Sequence, residues 1–234
     1  EMCIRDRLDD IKRISMGLRC LEEPTLKIET KQNISNNSLK IENVSCNYGE
    51  KKIFENLKLG VNEGEILGII GKNGVGKTTL IRCIAGLHKQ SEGQISLDGK
   101  VLNSKERQKL SAMVMQDVNY QLFTNSLVEE CHLGNNCSDS QIEEVLKELG
   151  LIELKELHPM VLSGGQKQRL VIGNAVLSDK QIFIFDEPTS GLDYEGMKVV
   201  SKELKKLSKK GYYIFIVSHD IEFINATCDR VYEF

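Results

Sequence analysis

Apolar positions along this 234-residue chain cluster into short runs separated by amphipathic stretches. Ile66-Leu67-Gly68-Ile69-Ile70, Gln181-Ile182-Phe183-Ile184-Phe185 and Tyr212-Tyr213-Ile214-Phe215-Ile216-Val217 are almost continuously apolar. Such runs suit strands covered on both faces, as in a parallel sheet. Leu39–Val44 alternates instead, like a half-buried strand, and Lys52–Leu59 is a candidate second strand. Gly93–Lys100 adds a short one, closed by the turn signal Asp98-Gly99. Helical spacing marks Leu80–Leu87, Gln141–Leu149 and Met197–Lys210. In Gln141–Leu149 the residues Ile142, Val145, Leu146 and Leu149 share a face, Ser140 with Glu143 predicts a capping box, and Gly150 predicts the stop. In Met197–Lys210 the residues Val200, Glu203, Leu204 and Leu207 recur at helical spacing and Gly211 ends the pattern. Its lysines, Lys202, Lys205, Lys206, Lys209 and Lys210, predict a solvated face. Strands alternating with helices predict an α/β fold with a mainly parallel sheet.

The stretch Gly71-Lys72-Asn73-Gly74-Val75-Gly76-Lys77-Thr78-Thr79 gives this pattern a purpose. It fits Gly-x-x-x-x-Gly-Lys-Thr, a phosphate-binding loop, and it has the required setting of strand before and helix after. Glycines let the backbone turn closely around a ligand. Successive N–H groups then form a nest for anionic oxygens, and the following helix aims its positive end at them. Lys77 supplies a point charge for the β- and γ-phosphates, and the Thr78 hydroxyl is a candidate Mg²⁺ ligand. Phe183-Ile184-Phe185-Asp186-Glu187-Pro188 is an apolar strand ending in two carboxylates. Asp186 is the candidate metal ligand, directly or through water, and Glu187 the candidate for polarising an attacking water.

Composition narrows the setting. Hydrophobic residues make up 40% and charged residues 28%, ordinary for a globular chain, and the net charge of −3 advertises no nucleic-acid partner. No apolar run approaches the roughly 20 residues of a membrane helix, so membrane association is expected through another polypeptide. The seven cysteines (Cys3, Cys20, Cys46, Cys83, Cys131, Cys137 and Cys228) are scattered and form no Cys-x-x-Cys pair, which fits free thiols in a reducing compartment. Cys131-His132 with Cys137 lacks a standard zinc spacing.

A second glycine-rich turn, Leu162-Ser163-Gly164-Gly165-Gln166, precedes Lys167-Gln168-Arg169-Leu170-Val171-Ile172. It is a second anion-binding helix start, and one nucleotide does not need two such loops from one chain. The economical answer is that it serves a nucleotide held by a partner. Here the sequence resembles the nucleotide-binding subunit of ATP-binding cassette (ABC) proteins. Leu162–Gln166 matches that family's signature motif residue for residue. Tyr48 falls where an aromatic stacks on adenine, Gln116 after Met113-Val114-Met115 matches the Q-loop, Ser190-Gly191-Leu192-Asp193 the D-loop, and His219 the switch histidine.

The resemblance covers about Leu39 to Phe234. It implies a P-loop NTPase fold, a mainly parallel sheet flanked by helices with an antiparallel β subdomain and a helical subdomain at about 117–163. It also implies an ATP hydrolase working as a head-to-tail dimer. ATP and Mg²⁺ would lie against Tyr48, Gly71, Asn73, Gly74, Gly76, Lys77, Thr78 and Thr79 of one cassette. Ser163, Gly164, Gly165 and Gln166 would come from the other, and Asp193 of the D-loop belongs to the same implied nucleotide-binding set. Glu187, His219, Lys77 and Gln116 are the implied catalytic residues, and Thr78, Gln116 and Asp186 the implied Mg²⁺ ligands.

Gln116–Glu130, His158-Pro159, Gln166-Lys167-Gln168-Arg169 and Ser190–Asp193 are similar to the ATPase components of energy-coupling factor transporters for vitamins and transition-metal ions. The expected partners are a second cassette (identical or different), a transmembrane transport subunit and a substrate-binding membrane subunit, with no nucleic acid. The expected place is the cytoplasmic face of the membrane. Leu18-Arg19 and the polar tract Thr30–Ser38 resemble the junction of a two-cassette chain, so this is expected to be the second cassette, with a linker over 8–38. Residues 1–7 resemble a translated sequencing adapter, and the chain is expected to stop inside a strand at Phe234. A translation-factor or repair-type cassette and a cassette that binds ATP without hydrolysing it are the alternatives. The short segment between Thr79 and Ser163 excludes the chromosome-organising type, which carries a long coiled coil there. Leu122 and Phe123 are open to two readings, docking a membrane partner or packing inside the helical subdomain. Gly173 and Asn174 depart from the small-residue helix usual after the signature, which puts local packing there in question.

Overall fold

The computed structural model describes residues 26, 34–35, 37–49, 51–90 and 92–234. The adapter-like residues 1–7, the Leu18-Arg19 junction, Cys3, Cys20 and most of the polar tract lie outside the described residues.

Strands β1 (Ser38–Tyr48) and β2 (Lys51–Asn62) form an antiparallel hairpin. β3 is Ile66–Ile70, and β4 (Glu92–Leu97) pairs with the other edge of β1 and with the short β5 (Lys100–Val101). The hairpin strands run beyond the predicted Leu39–Val44 and Lys52–Leu59. Asn43 and Asn56 hold positive φ, 51° and 48°, and the register shifts between Ile41 and Val44 and again before Cys46. Each bulge flips the side-chain phase, so the alternation breaks while the pairing continues to Tyr48 and Lys51. The end of the polar tract joins this sheet, where the Ser35 N–H donates to Asn62 Oδ1 at 2.8 Å.

The second sheet is parallel throughout, in the order β6 (Ser111–Val114), β7 (Ile182–Asp186), β8 (Tyr213–Val217), β3, β9 (Arg230–Glu233). Its central strands are buried on both faces, which is why they read as unbroken apolar runs. Phe183, Phe185, Ile214 and Ile216 pack into a core with Leu204, Leu207 and Phe223. Ile182, Ile184, Phe215 and Val217 pack into another with Leu80, Ile81 and the apolar face of the antiparallel sheet. Full burial of such a side chain contributes roughly 1.5–3 kcal/mol. The two cores therefore hold the strand ends, and the loops on them, in fixed register.

The helices are α1 (Lys77–Ile84), α2 (Ser104–Leu110), α3 (Leu127–His132), α4 (Asp139–Glu148), α5 (Gly164–Leu177), α6 (Tyr194–Lys209) and α7 (Ile221–Thr227). The capping box of α4 is Ser138 with Gln141, not Ser140 with Glu143. Ser138 has the extended backbone that a cap needs (φ −81°, ψ 157°), Ser140 lies inside the first turn, and Glu143 meets Lys155 Nζ at 2.5 Å instead. α6 starts a turn before Met197 because the Asp193 side chain caps it. Lys206 leaves the solvated lysine set to bridge Glu148 of α4 and the buried Glu203 of α6. Gly173 is where α4 meets α5. A Cβ there would lie 2.7 Å from Leu149 Cδ1, so the glycine permits a close helix approach. Among the described residues no helix is long and apolar enough to cross a membrane.

Candidate functional site

Because β3, β6, β7 and β8 run parallel, their C-terminal ends open on one edge, where α/β sheets bind ligands. A cleft of about 800 Å³ lies there, lined among others by Asn73, Gly74, Gly76, Lys77, Thr78, Thr79, Gln116, Asp186, Glu187 and His219. The D-loop residues Ser190, Gly191 and Leu192 also line it.

The phosphate loop joins β3 to α1. Gly76 is the N-cap of α1, with φ 116° and no side chain capping the helix, so the first N–H groups of α1 stay open to an anion. A Cβ at Gly76 would lie 2.8 Å from Ile53 Cγ2, so the loop lies tight on the antiparallel sheet. Lys77 is 7% exposed. Its Nζ donates to the Gly71 carbonyl at 2.7 Å and the Lys72 carbonyl at 2.9 Å, and lies 3.3 Å from His219 Nε2. The ammonium thus folds back on its own loop, with two of its protons on loop carbonyls.

The Thr78 hydroxyl donates to Asp186 Oδ2 at 3.3 Å. Burial pushes the Asp186 carboxyl above its usual range, and the Thr78 hydrogen bond, with the charges of Arg82 and Lys77, opposes that. Asp186 is 6% exposed. Hydroxyl, buried carboxylate and, at the cleft edge, the exposed Gln116 amide make an all-oxygen donor set of the kind a hard divalent cation takes.

Glu187 follows with φ 51°, a left-handed conformation that is strained for a non-glycine residue. The strain is held by neighbours. Its N–H donates to the Val217 carbonyl at 2.8 Å. Its Oε2 accepts from Ser218 Oγ (3.1 Å) and from the His219 N–H (3.3 Å), and Oε1 lies 3.7 Å from His219 Nε2. Lys77, His219 and Glu187 therefore touch in sequence across the mouth of β3, β8 and β7.

The second glycine-rich turn is elsewhere. Ser163 caps α5, its Oγ accepting from the Gln166 N–H (3.3 Å) while Gln166 Oε1 accepts from the Ser163 N–H (2.9 Å). Ser163 and Gly164 are exposed, and none of Ser163, Gly164, Gly165 and Gln166 lines the cleft. Gly165 backs onto the D-loop, where a Cβ would lie 3.2 Å from Leu192 Cδ2. Asp193 is occupied as the cap of α6, accepting from the Gly196 N–H at 2.8 Å. Tyr48 stands outside the cleft lining, 47% exposed.

Two residues that the motifs do not mark hold the Gln116 region. Gln121 donates to the Met113 carbonyl and accepts from the Met115 N–H, both at 2.8 Å, pinning the end of β6. The buried Glu130 accepts from the N–H groups of Phe123 and Thr124 and from Thr124 Oγ1, each at 2.9 Å. Both sit inside the Gln116–Glu130 stretch noted for its similarity, but polar side chains that bond backbone at a distance leave no periodic signal. Between them, Leu122 is buried at 6% exposure and Phe123 is exposed at 73%, so the two residues face opposite ways.

Comparison with known proteins fits this geometry. The ABC transporter family profile matches residues 54–190, more than half of the chain. The chain is 43% identical over 226 residues to an ABC transporter ATP-binding protein of Treponema denticola, covering 93% of this chain and 46% of that protein. The chain thus spans less than half the length of the first curated relatives it matches. Among solved structures, cbiO1 from Clostridium perfringens, described as part of the ABC transporter complex cbiONQ, superposes with a TM-score of 0.73 at 31% identity, covering 83% of each chain. The dimeric structure of MJ0796, a bacterial ABC transporter cassette, gives 0.73 at 29% identity, covering 84% of this chain and 94% of that one.

Proposed function

The chain belongs to the ABC transporter family of ATP-hydrolysing cassettes, and from that premise we propose that it is the motor of a membrane importer, of the energy-coupling factor type that takes up vitamins or transition-metal ions. One observation carries the reading. Lys77, Thr78, Asp186, Glu187 and His219 surround a single cleft, while Ser163 and Gly164 stand exposed outside it. A triphosphate in that cleft is gripped from one side, and a second cassette, identical or different, supplies the other. Neighbours described as a dimeric cassette and as part of a transporter complex support this assembly. A transmembrane subunit and a substrate-selecting membrane subunit complete it at the cytoplasmic face of the membrane. The exposed Phe123 beside the Gln116 loop supports a docking point for the transmembrane subunit.

In this mechanism phosphate oxygens replace the Gly71 and Lys72 carbonyls on Lys77, and the open N–H groups of α1 bind the same phosphates. Phosphoryl transfer to water depends mainly on positioning and charge stabilisation. Glu187 takes the proton of the attacking water. Ser218 and the His219 N–H fix the direction of its carboxylate. His219 Nε2, released from Lys77, holds the γ-phosphate. Thr78, Asp186 and Gln116 would hold Mg²⁺, and the desolvated Asp186 carboxyl gains a counter-charge there. When bound, the cation offsets charge developing on the phosphate oxygens.

Reconstitution in liposomes with membrane subunits tests the reading. ATP-driven uptake of a vitamin or a divalent transition-metal ion, lost in Lys77→Ala, is the expected result. Uptake of amino acids alone would overturn the energy-coupling factor subtype, and full-rate ATP hydrolysis by a proven monomer would overturn the two-cassette site.

A further inference from the structure

We propose that His88 is a positioning residue for the nucleotide base: it fixes the Tyr48 ring from one face, so that the opposite face receives the purine. The inference rests on the ATP-binding reading above and adds a residue that no motif contains.

The two rings are in contact, with centroids 4.6 Å apart and planes tilted by 41°. Tyr48 is the last residue of β1, next to the turn that closes the hairpin. A ring at a strand end with 47% of its surface exposed has rotamers to lose on binding a base. A second ring packed on it removes part of that cost in advance, which is preorganisation.

His88 is itself held by a built loop. Its N–H donates to the Arg82 carbonyl at 3.1 Å, and the Leu87 N–H donates to the same oxygen at 2.9 Å. Two residues on, Gln90 Oε1 accepts from Arg107 Nη2 at 2.9 Å. Arg107 is fully buried and ties down the end of α1, with Nε on the Cys83 carbonyl (3.1 Å) and Nη1 on the Leu102 carbonyl (2.8 Å). Burying a guanidinium in this way is costly unless its donors are satisfied, and here Gln90 of the loop that carries His88 accepts one of them, while Cys83, Leu102 and Ser104 accept the others. The base platform and the phosphate loop are thereby referenced to the two ends of the same helix, α1.

Equilibrium binding to the full chain tests this with two probes, ATP and inorganic tripolyphosphate, which lacks a base. His88→Ala is expected to weaken ATP about threefold to tenfold, as for loss of one aromatic contact, and to leave tripolyphosphate unchanged. His88→Phe is expected to restore ATP binding. Unchanged or tighter ATP binding in His88→Ala would overturn the proposal, the tighter case meaning that His88 occupies the base position. Equal weakening of both probes would also overturn it, by making His88 a support of the loop and not of the base. Tyr48→Ala separates the two levels. If it too leaves ATP binding unchanged, the base-stacking role of Tyr48 falls. If it weakens ATP while His88→Ala does not, only His88 falls.

Discussion

Two helices in this chain begin on glycine-rich turns, and they are finished in opposite ways. α1 starts at Gly76 with no side chain on its first N–H groups, and walls close around it: Lys77, Asp186, Glu187 and His219. α5 starts after Ser163, whose hydroxyl accepts from the Gln166 N–H while the Gln166 side-chain oxygen accepts from the Ser163 N–H, and its first residues face solvent. Both starts carry the positive end of a helix dipole. The difference is the surroundings. A dipole facing water is screened within about 10 Å at ordinary salt, whereas one facing a buried lysine and two carboxylates acts in a lower dielectric. The same local motif is therefore enclosed in one place and, in the other, an exposed rim, which the proposed second cassette would cover.

The comparison breaks most sharply at the walls. Glu187→Gln keeps the shape of the cleft and removes the proposed base, so hydrolysis by the assembled cassette pair should fall by about 10²–10⁴ while ATP binding persists. Single-turnover hydrolysis beside equilibrium binding reads both quantities. Turnover near the wild-type rate would mean that Glu187 is not what distinguishes the cleft from the rim.

At the rim the effect is smaller and separable into two parts. Ser163→Ala removes the cap, which should lower stability by about 1 kcal/mol and leave ATP binding to the single chain unchanged. Ser163→Asp keeps a good cap but sets a negative charge where the partner's phosphates would arrive. Its melting temperature should stay near that of wild type, while hydrolysis by the assembled pair drops by about 10²-fold. Wild-type hydrolysis in Ser163→Asp would mean that this turn faces no phosphate.

How far this contrast was legible in the sequence differs by kind of signal. The doubly buried strands β3, β7 and β8 were plain as apolar runs, because burial on both faces leaves no polar positions. β1 and β2 were legible only in part, since the turns at Asn43 and Asn56 reverse the phase inside each strand. The cap of α4 was misplaced by two residues because Ser138 and Ser140 are equivalent as letters, and only the backbone at Ser138 selects between them. Lys77, Thr78, Gln116, Asp186, Glu187 and His219, which line the cleft, were marked by motif. Asp193 was marked too, yet its carboxylate is engaged in capping α6. Gln121, Glu130 and His88 were invisible, because their roles depend on chain segments brought together by folding.

The smallest effect isolates what enclosure costs. In the cleft without ligand, burial raises the Asp186 carboxyl above its unfolded value. A group raised in this way favours the fold below the unfolded carboxylate range, and that contribution is lost as pH rises through the folded value. Ionising Asp186 therefore costs more in the fold than in the unfolded chain, with the Thr78 hydroxyl and the charges of Arg82 and Lys77 offsetting part of that cost. Asp186→Asn should raise the melting temperature of the nucleotide-free chain at pH 7. The gain should shrink to nothing as pH falls below the carboxylate range, where the wild-type group is neutral as well. Adding MgATP should reverse the order, because only the wild type can use its carboxylate on the cation. Among the described residues none of Ser163, Gly164, Gly165 and Gln166 is a carboxylate, so the same pH series on Ser163→Ala should run parallel to wild type. A pH-independent difference for Asp186→Asn would mean that the cleft holds no such charge strain, and that enclosure alone does not set the two helix starts apart.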